Sequence, residues 1–310
     1  MPAVSGSHED DTAALSQPSQ GDESGRDGWW TPLVRIAAFA FAFLTFYALF
    51  ALAIERIDRF DYRYWSAPLA ALAALALMAR LEQRTVASFG FNKPRKAFRE
   101  LVIGFIIGGT TMSLIVGIMS ACGWYHGRPM PLTSSLMWGL ASTLAIFFAL
   151  AIYEEVVYRG YFFQTLERRW GADIAFAATM VTFGLTHLAV RVPGASVSLK
   201  IIGALSIAVE AGILFAAAYL LTRRLWLPIG IHCAWNFFEG PVYGTPVTGD
   251  NVGETVFNGH ITGPAWATGG GFGPEASVPA LLVGTAIGLV LLWMAQRRRS
   301  KKSDRSVRSD

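Results

Sequence analysis

Glu154-Glu155-Val156-Val157-Tyr158-Arg159 lies inside an apolar run from Ser142 to Leu166, and these three charges decide how the chain is read. A helix rises about 1.5 Å per residue, so a run of this length crosses a hydrocarbon core about 30 Å thick with some tilt. Both glutamates then sit near mid-depth. Insertion scales put an ionisable group there at a cost on the order of 2.5 to 3.5 kcal/mol, so such groups face a protein interior or a water-filled cavity. The other segments are therefore read for what compensates them.

Working outward, the 310 residues are 53% hydrophobic and only 15% charged, where soluble domains carry about 25% charged residues. Mean hydropathy is +0.40. This composition predicts an all-α, multi-pass membrane bundle spanning residues 31–296. Eight apolar runs are long enough to be candidates for spans: Ile36 to Ile54, Trp65 to Met78 (the shortest), Leu101 to Ala121, Ser142 to Leu166, Ala172 to Val190, Ile201 to Leu221, Trp226 to Tyr243 and Val278 to Ala295.

The net charge of +4 is not gathered into a nucleic-acid patch. Lys and Arg fall between the apolar runs, in every even-numbered connection: Arg80 to Arg99, Arg168 and Arg169, Arg223 and Arg224, and Arg297 to Lys302. Odd connections are poorer, and residues 240–277 have neither Lys nor Arg; only the first, with Arg56, Arg59 and Arg63 beside Glu55, Asp58 and Asp61, is ambiguous. Because basic residues stay cytoplasmic, both termini are expected inside, in a plasma (inner) membrane. Residues 1–30 read as a disordered acidic tail without a signal peptide, and 297–310 as a basic cytoplasmic tail. The Gly/Thr/Pro-rich stretch 240–277 reads as a mobile external lid or a disordered loop. Ala87 to Arg99 reads as an interfacial helix. Cys122 and Cys233 form no disulfide framework or thiolate metal motif, and are expected to be small apolar fillers.

Counted from the basic turns, Glu154 lies about 21 Å up the fourth run, His187 at nearly the same depth in the fifth, and His232 and Asn236 roughly 12 and 18 Å up the seventh. Four polar side chains can share one layer. Phe183 with His187 and His232 with Asn236 are i, i+4 pairs, each on one helical face. Glu155 and Arg159 have the same spacing and permit an ion pair, while Glu154, about 100° around, is free to face a pocket. A lone His or Asn in an apolar helix is more often a packing residue than a catalytic one; the shared depth shifts that balance. Glu210 reads equally as a further pocket residue or as the partner of an unidentified arginine, and Asp173 as a helix-dipole residue.

A glutamate beside two histidines and an amide suits activation of water. Glu154 with His187 would take the proton, and His232 and Asn236 would stabilise an oxyanion. Equally, Glu154, His187 and His232 would serve as three ligands of one Zn²⁺ with water in the fourth place. No H-E-x-x-H, G-x-S-x-G, paired intramembrane Asp or P-loop is present, and nothing recommends Ser142 or Ser206 as a nucleophile.

At these residues the chain resembles the CAAX protease and bacteriocin-processing (CPBP, Abi) family of intramembrane endopeptidases, which includes type II CAAX prenyl endopeptidases. Two glutamates followed by arginine match Glu154, Glu155 and Arg159; an aromatic four residues before histidine matches Phe183 and His187; histidine four residues before asparagine matches His232 and Asn236. The resemblance covers about residues 89–238. It implies an all-helical endopeptidase in which Glu154 and His187 activate water, His232 and Asn236 stabilise the transition state, and Glu155 and Arg159 support the first motif. It further implies a membrane-associated or prenylated peptide substrate. Two other readings stay open: a non-catalytic scaffold or immunity protein whose polar cluster serves packing, and a proton-coupled transporter relaying through Glu154, Glu210 and His187.

Overall fold

The computed structural model describes residues 28–56, 62–190, 192 and 195–307; the acidic tail expected over 1–30 lies almost wholly outside them. The expected helical bundle is present. Its elements are α1 (Thr31–Ile54), α2 (Tyr62–Leu81), α3 (Pro94–Ala121), β1 (Tyr125–Pro129), α4 (Ser134–Glu155), α5 (Phe163–Trp170), α6 (Ala172–Leu188), α7 (Val197–Thr222), α8 (Trp226–Phe237), β2 (Phe257–Ile261), α9 (Ala265–Thr268) and α10 (Val278–Val307). A π-helical segment, Val156–Phe162, joins α4 to α5, and a second, Phe238–Val242, extends α8. Among the described residues, six helical stretches are long and apolar enough to cross a membrane, where the sequence suggested eight. The two extra runs became α6, with 17 residues, and α8, with 12.

Local chemistry sets the helix limits. The Thr133 hydroxyl accepts from the Leu136 amide at 3.1 Å to cap α4, and Ser196 does the same for Leu199 at 3.2 Å in α7, each satisfying an amide that the first turn leaves open. Side chains larger than hydrogen are excluded where α3 crosses α8. A Cβ on Gly104 would meet the Leu227 carbonyl, and one on Gly108 the Ile231 carbonyl. In hydrocarbon, where helix association depends on close packing and not on a hydrophobic drive, such small residues let two backbones touch.

The basic connections do converge on one end, here termed the collar. Glu82, just past α2, accepts from the Tyr161 hydroxyl at 2.7 Å and pairs with Arg168 at 3.0 Å. Burial works against its charge, but Tyr161 and Arg168 outweigh burial and hold the carboxyl below its usual range. Arg223 pairs with Glu167, Arg224 with Glu100 at the start of α3, and the Leu225 amide donates to the Gly90 carbonyl.

The opposite end is closed by an ordered strap, residues 243–277, in place of the expected mobile or disordered loop. Its strand β2 pairs antiparallel with β1, Tyr125 opposite Ile261 and Pro129 opposite Phe257. The Tyr125 hydroxyl, pushed up to about 12 by burial, donates to the Tyr243 carbonyl at 2.8 Å, and Ser135 donates to Glu254 at 2.8 Å. The missing apolar period misled because glycines and backbone hydrogen bonds, not alternating side chains, shape the strap.

Three further expectations are corrected. Residues 94–99 are the first turns of α3 and not a separate interfacial helix, since Pro94 suits the start of a helix. The basic tail continues α10 through Val307. Cys122, at the strap end of α3, is exposed and not a core filler, whereas Cys233 is buried.

Because the α3–α8 contact leaves no room for a side chain, Gly108→Leu is expected to destabilise the protein by about 1–3 kcal/mol. Thermal unfolding in detergent measures this, with Gly117→Leu, whose Cβ would meet open space, as the control that leaves stability nearly unchanged.

Candidate active site

Three helices stop or loosen where the polar residues sit. The α4 helix gives way to its π-helical segment immediately after Glu155, α6 ends one residue past His187, and α8 one past Asn236. A π segment adds a residue per turn, and such insertions recur at functional sites. Glu154 and Glu155, the last two residues of α4, point about 100° apart as adjacent helical residues do. Glu154 is partly exposed on a cavity, and Glu155 is wholly buried beneath it.

The buried layer is a charged network. Glu155 Oε1 accepts from Arg159 Nη1 at 3.0 Å and faces His232 Nδ1 at 3.1 Å. Arg159, with no exposed surface, also donates to the Ala211 carbonyl at 3.4 Å. Its guanidinium lies 4.9 Å from the Phe183 ring centre and 5.1 Å from that of Phe215, a cation–π arrangement that gains strength away from water. Phe215 stacks on His232 at 4.6 Å. His232 in turn presents Nε2 at 3.8 Å from Glu154 Oε2.

Above this layer a cavity of about 460 Å³ is lined by Glu154, His187 and Asn236 together with Tyr158, Thr186 and the strap residue Asp250. His187 Nδ1 lies 2.8 Å from the Phe183 carbonyl. A carbonyl only accepts, so Nδ1 carries the proton and a neutral His187 keeps the Nε2 lone pair available. The Tyr158 hydroxyl bonds Thr186 at 3.0 Å.

The structure thus gathers the expected residues in two tiers. Glu154, His187 and Asn236 share the cavity wall, whereas His232 is buried behind Glu154 and does not line it. Phe183 sits beneath both histidines. Glu210 belongs to neither expected role: it is buried in α7 against Gly284 of α10, outside the cavity, and no arginine pairs with it among the described residues. Asp173 lies in the first turn of α6, as anticipated. Ser142 donates to the Gly139 carbonyl and Ser206 is buried elsewhere. Phe215, Tyr158, Thr186 and the strap residues were not singled out in the sequence. Tyr158 and Thr186 stand beside motif residues, but nothing local marks Phe215 or Asp250.

The helical segment that builds both tiers, residues 134–238, matches the family model described as type II CAAX prenyl endopeptidase Rce1-like. This segment, about a third of the chain, is thus similar to the CAAX protease family. No curated protein and no solved structure matches the chain. The match supports a CAAX-type intramembrane protease at family level, and the apolar helices support an integral membrane protein; the strap lies beyond the matched segment.

The zinc alternative meets a geometric difficulty. Among the described residues no three His, Cys, Asp or Glu side chains are gathered closely enough to hold one ion. Glu154 and His187 line the cavity whereas His232 is buried behind it, so the three are divided between the two tiers.

Removing one partner of the buried pair leaves the other charge uncompensated. Glu155→Ala or Arg159→Ala is therefore expected to cost about 3–5 kcal/mol, read as a lowered unfolding midpoint, and the double variant should lose less than the sum of the two singles.

Proposed function

We propose that this protein is a CAAX-type endopeptidase that hydrolyses a peptide bond of a membrane-associated or lipid-linked peptide, with water activated by Glu154 and His187. The observation that carries the reading is the convergence of Glu154, His187 and Asn236 on one water-accessible cavity within the apolar bundle.

In this mechanism a water molecule rests between the Glu154 carboxylate and His187 Nε2. Glu154 takes the proton as the water oxygen attacks the scissile carbonyl carbon, and the side-chain amide of Asn236 donates to the developing oxyanion. As the C–N bond breaks, the proton held by Glu154 passes to the departing amine. His232, braced by Glu155 and stacked on Phe215, positions Glu154. This differs from the oxyanion role first expected of it, because its burial keeps it from a substrate carbonyl. The apolar wall of the cavity, Ile146, Phe147 and Leu150 on α4, accommodates a substrate anchored in lipid.

General-base catalysis contributes about 10²–10⁴-fold. Glu154→Gln and His187→Ala, reconstituted with an acylated peptide library, are expected to lose cleavage by that order while retaining the wild-type unfolding midpoint. Unchanged cleavage in both would refute the assignment, and unfolding of both without any cleavage by the wild type would favour the scaffold reading.

Because the donors form no three-ligand group, cleavage is expected to persist after prolonged dialysis against a strong chelator. Loss of activity restored by one equivalent of Zn²⁺ would show instead that the ligands regroup around an ion.

A further inference from the structure

The cavity lies at the end of the bundle opposite the basic residues. Thr143, Ile146, Phe147, Leu150 and Glu154 recur at helical spacing along one face of α4 and all line it. From Thr143 to Glu154 this face runs about 16 Å at 1.5 Å per residue. The groove therefore leads from Glu154 along α4 towards its first residue, Ser134, and the mouth is formed by strap residues Thr248, Asp250 and Asn251. Asp250 and Asn251 are exposed.

Towards the collar the way is shut. Below Glu154 lie Glu155 and Arg159, then Tyr161, Phe163, Leu166, Phe89 and Leu225, every one of them at most 1% exposed. This plug separates the reacting carboxylate from the turns that hold Arg84, Arg168, Arg223 and Arg224. The two ends also differ in charge. The strap, residues 243–277, contains no Lys or Arg, and the other connections and adjoining turns at this end carry Arg56, Arg59 and Arg63 beside Glu55, Asp58 and Asp61, then Arg128, Arg191 and Lys200, against fifteen Lys and Arg from Arg80 to Lys302 at the collar end.

We propose that the peptide substrate enters from the strap face, and that this face is the non-cytoplasmic one, so that the scissile segment is presented from outside the cytoplasm. The inference rests on the proteolytic reading for its substrate, but its sidedness follows from the groove and from the retention of basic segments in the cytoplasm. A 16 Å groove takes about five extended residues at roughly 3.3 Å each. The substrate is thus a membrane-anchored peptide whose cleavage site lies a short extended segment inwards from the outer surface. Polar strap side chains face its backbone and the apolar stripe of α4 faces its side chains.

Native Cys122, exposed at the strap end of α3, reports on the sidedness directly, because Cys233 is buried. With the full-length protein in intact cells, a membrane-impermeant maleimide is expected to label Cys122. In a Cys122→Ser background it should label Asn251→Cys at the mouth and Thr143→Cys inside the groove, while Ser300→Cys at the collar end should react only after permeabilisation. Labelling of Ser300→Cys but not Cys122 from outside would overturn the proposal, as would a Thr143→Cys that reacts from neither side.

A second arm uses sealed vesicles sorted by Cys122 labelling and given the acylated peptide library on their outer surface. Cleavage is expected only where the strap faces outwards. Cleavage confined to vesicles with the collar outwards would overturn the route of entry. Absence of cleavage in either, and in detergent, would overturn the proteolytic reading and the substrate with it, while the labelling pattern alone decides the direction in which the groove opens.

Discussion

Everything in the membrane-embedded core depends on the neutralisation of Arg159. A guanidinium with no exposed surface is tolerable in an apolar bundle only when its charge is opposed and its donors are used. Glu155 supplies the opposing charge one helical turn away, the Ala211 carbonyl from α7 takes a second donor, and the rings of Phe183 and Phe215 cover the faces. The partners come from three helices, so the arrangement fixes α4, α6 and α7 relative to one another. His232 on α8 then completes the link through the same Glu155 oxygen. A charge that looks like a liability in one helix becomes the point at which four helices are registered.

That registration explains why the reacting tier need not be self-supporting. Glu154 makes no ion pair as close as that of Glu155, and its nearest basic neighbour, His232, stands at 3.8 Å. Its position follows from the helix below it and from the imidazole behind it. The short helices matter equally. Because α6 and α8 end just past His187 and Asn236, those side chains line the wall of a cavity. The glycine contact between α3 and α8 draws the α8 backbone close enough for His232 to reach the buried layer.

The parts of this arrangement that depend on spacing along a helix were legible in the sequence. Depth counting placed Glu154, His187, His232 and Asn236 in one layer, and the i, i+4 rule paired Glu155 with Arg159, because a helix converts sequence separation directly into height and angle. It could not assign His232, since whether an imidazole at that height faces the cavity or the layer beneath depends on how α8 is rotated by its glycine contact with α3. Glu210 failed for the same reason: its depth was plain, but its neighbour is Gly284, far along the chain. The strap was illegible because its order comes from β1, more than a hundred residues earlier, and from backbone hydrogen bonds that leave no side-chain period. The two remaining apolar runs form shorter helices because composition registers apolar length but not where a helix gives way to a π segment or a turn.

The strap resolves a conflict built into any hydrolase within a membrane. Water must reach Glu154, yet an open polar cleft would expose backbone groups to lipid, at a cost of several kcal/mol for each group left unsatisfied. Residues 243–277 answer both demands by forming their own hydrogen bonds. β2 pairs with β1, the Gly249 amide donates to the Phe272 carbonyl, and the Glu275 amide donates at 2.8 Å to the buried Glu239 carboxyl. With its backbone hydrogen-bonded, the strap can hold Thr248, Asp250 and Asn251 at the rim of a cavity that Glu154, His187 and Asn236 line and whose α4 wall is apolar. The tight plug on the collar side has the complementary effect. It admits water to one tier only, so the buried Arg159 network stays dry and strong while the carboxylate a single residue before Glu155 remains wet enough to react.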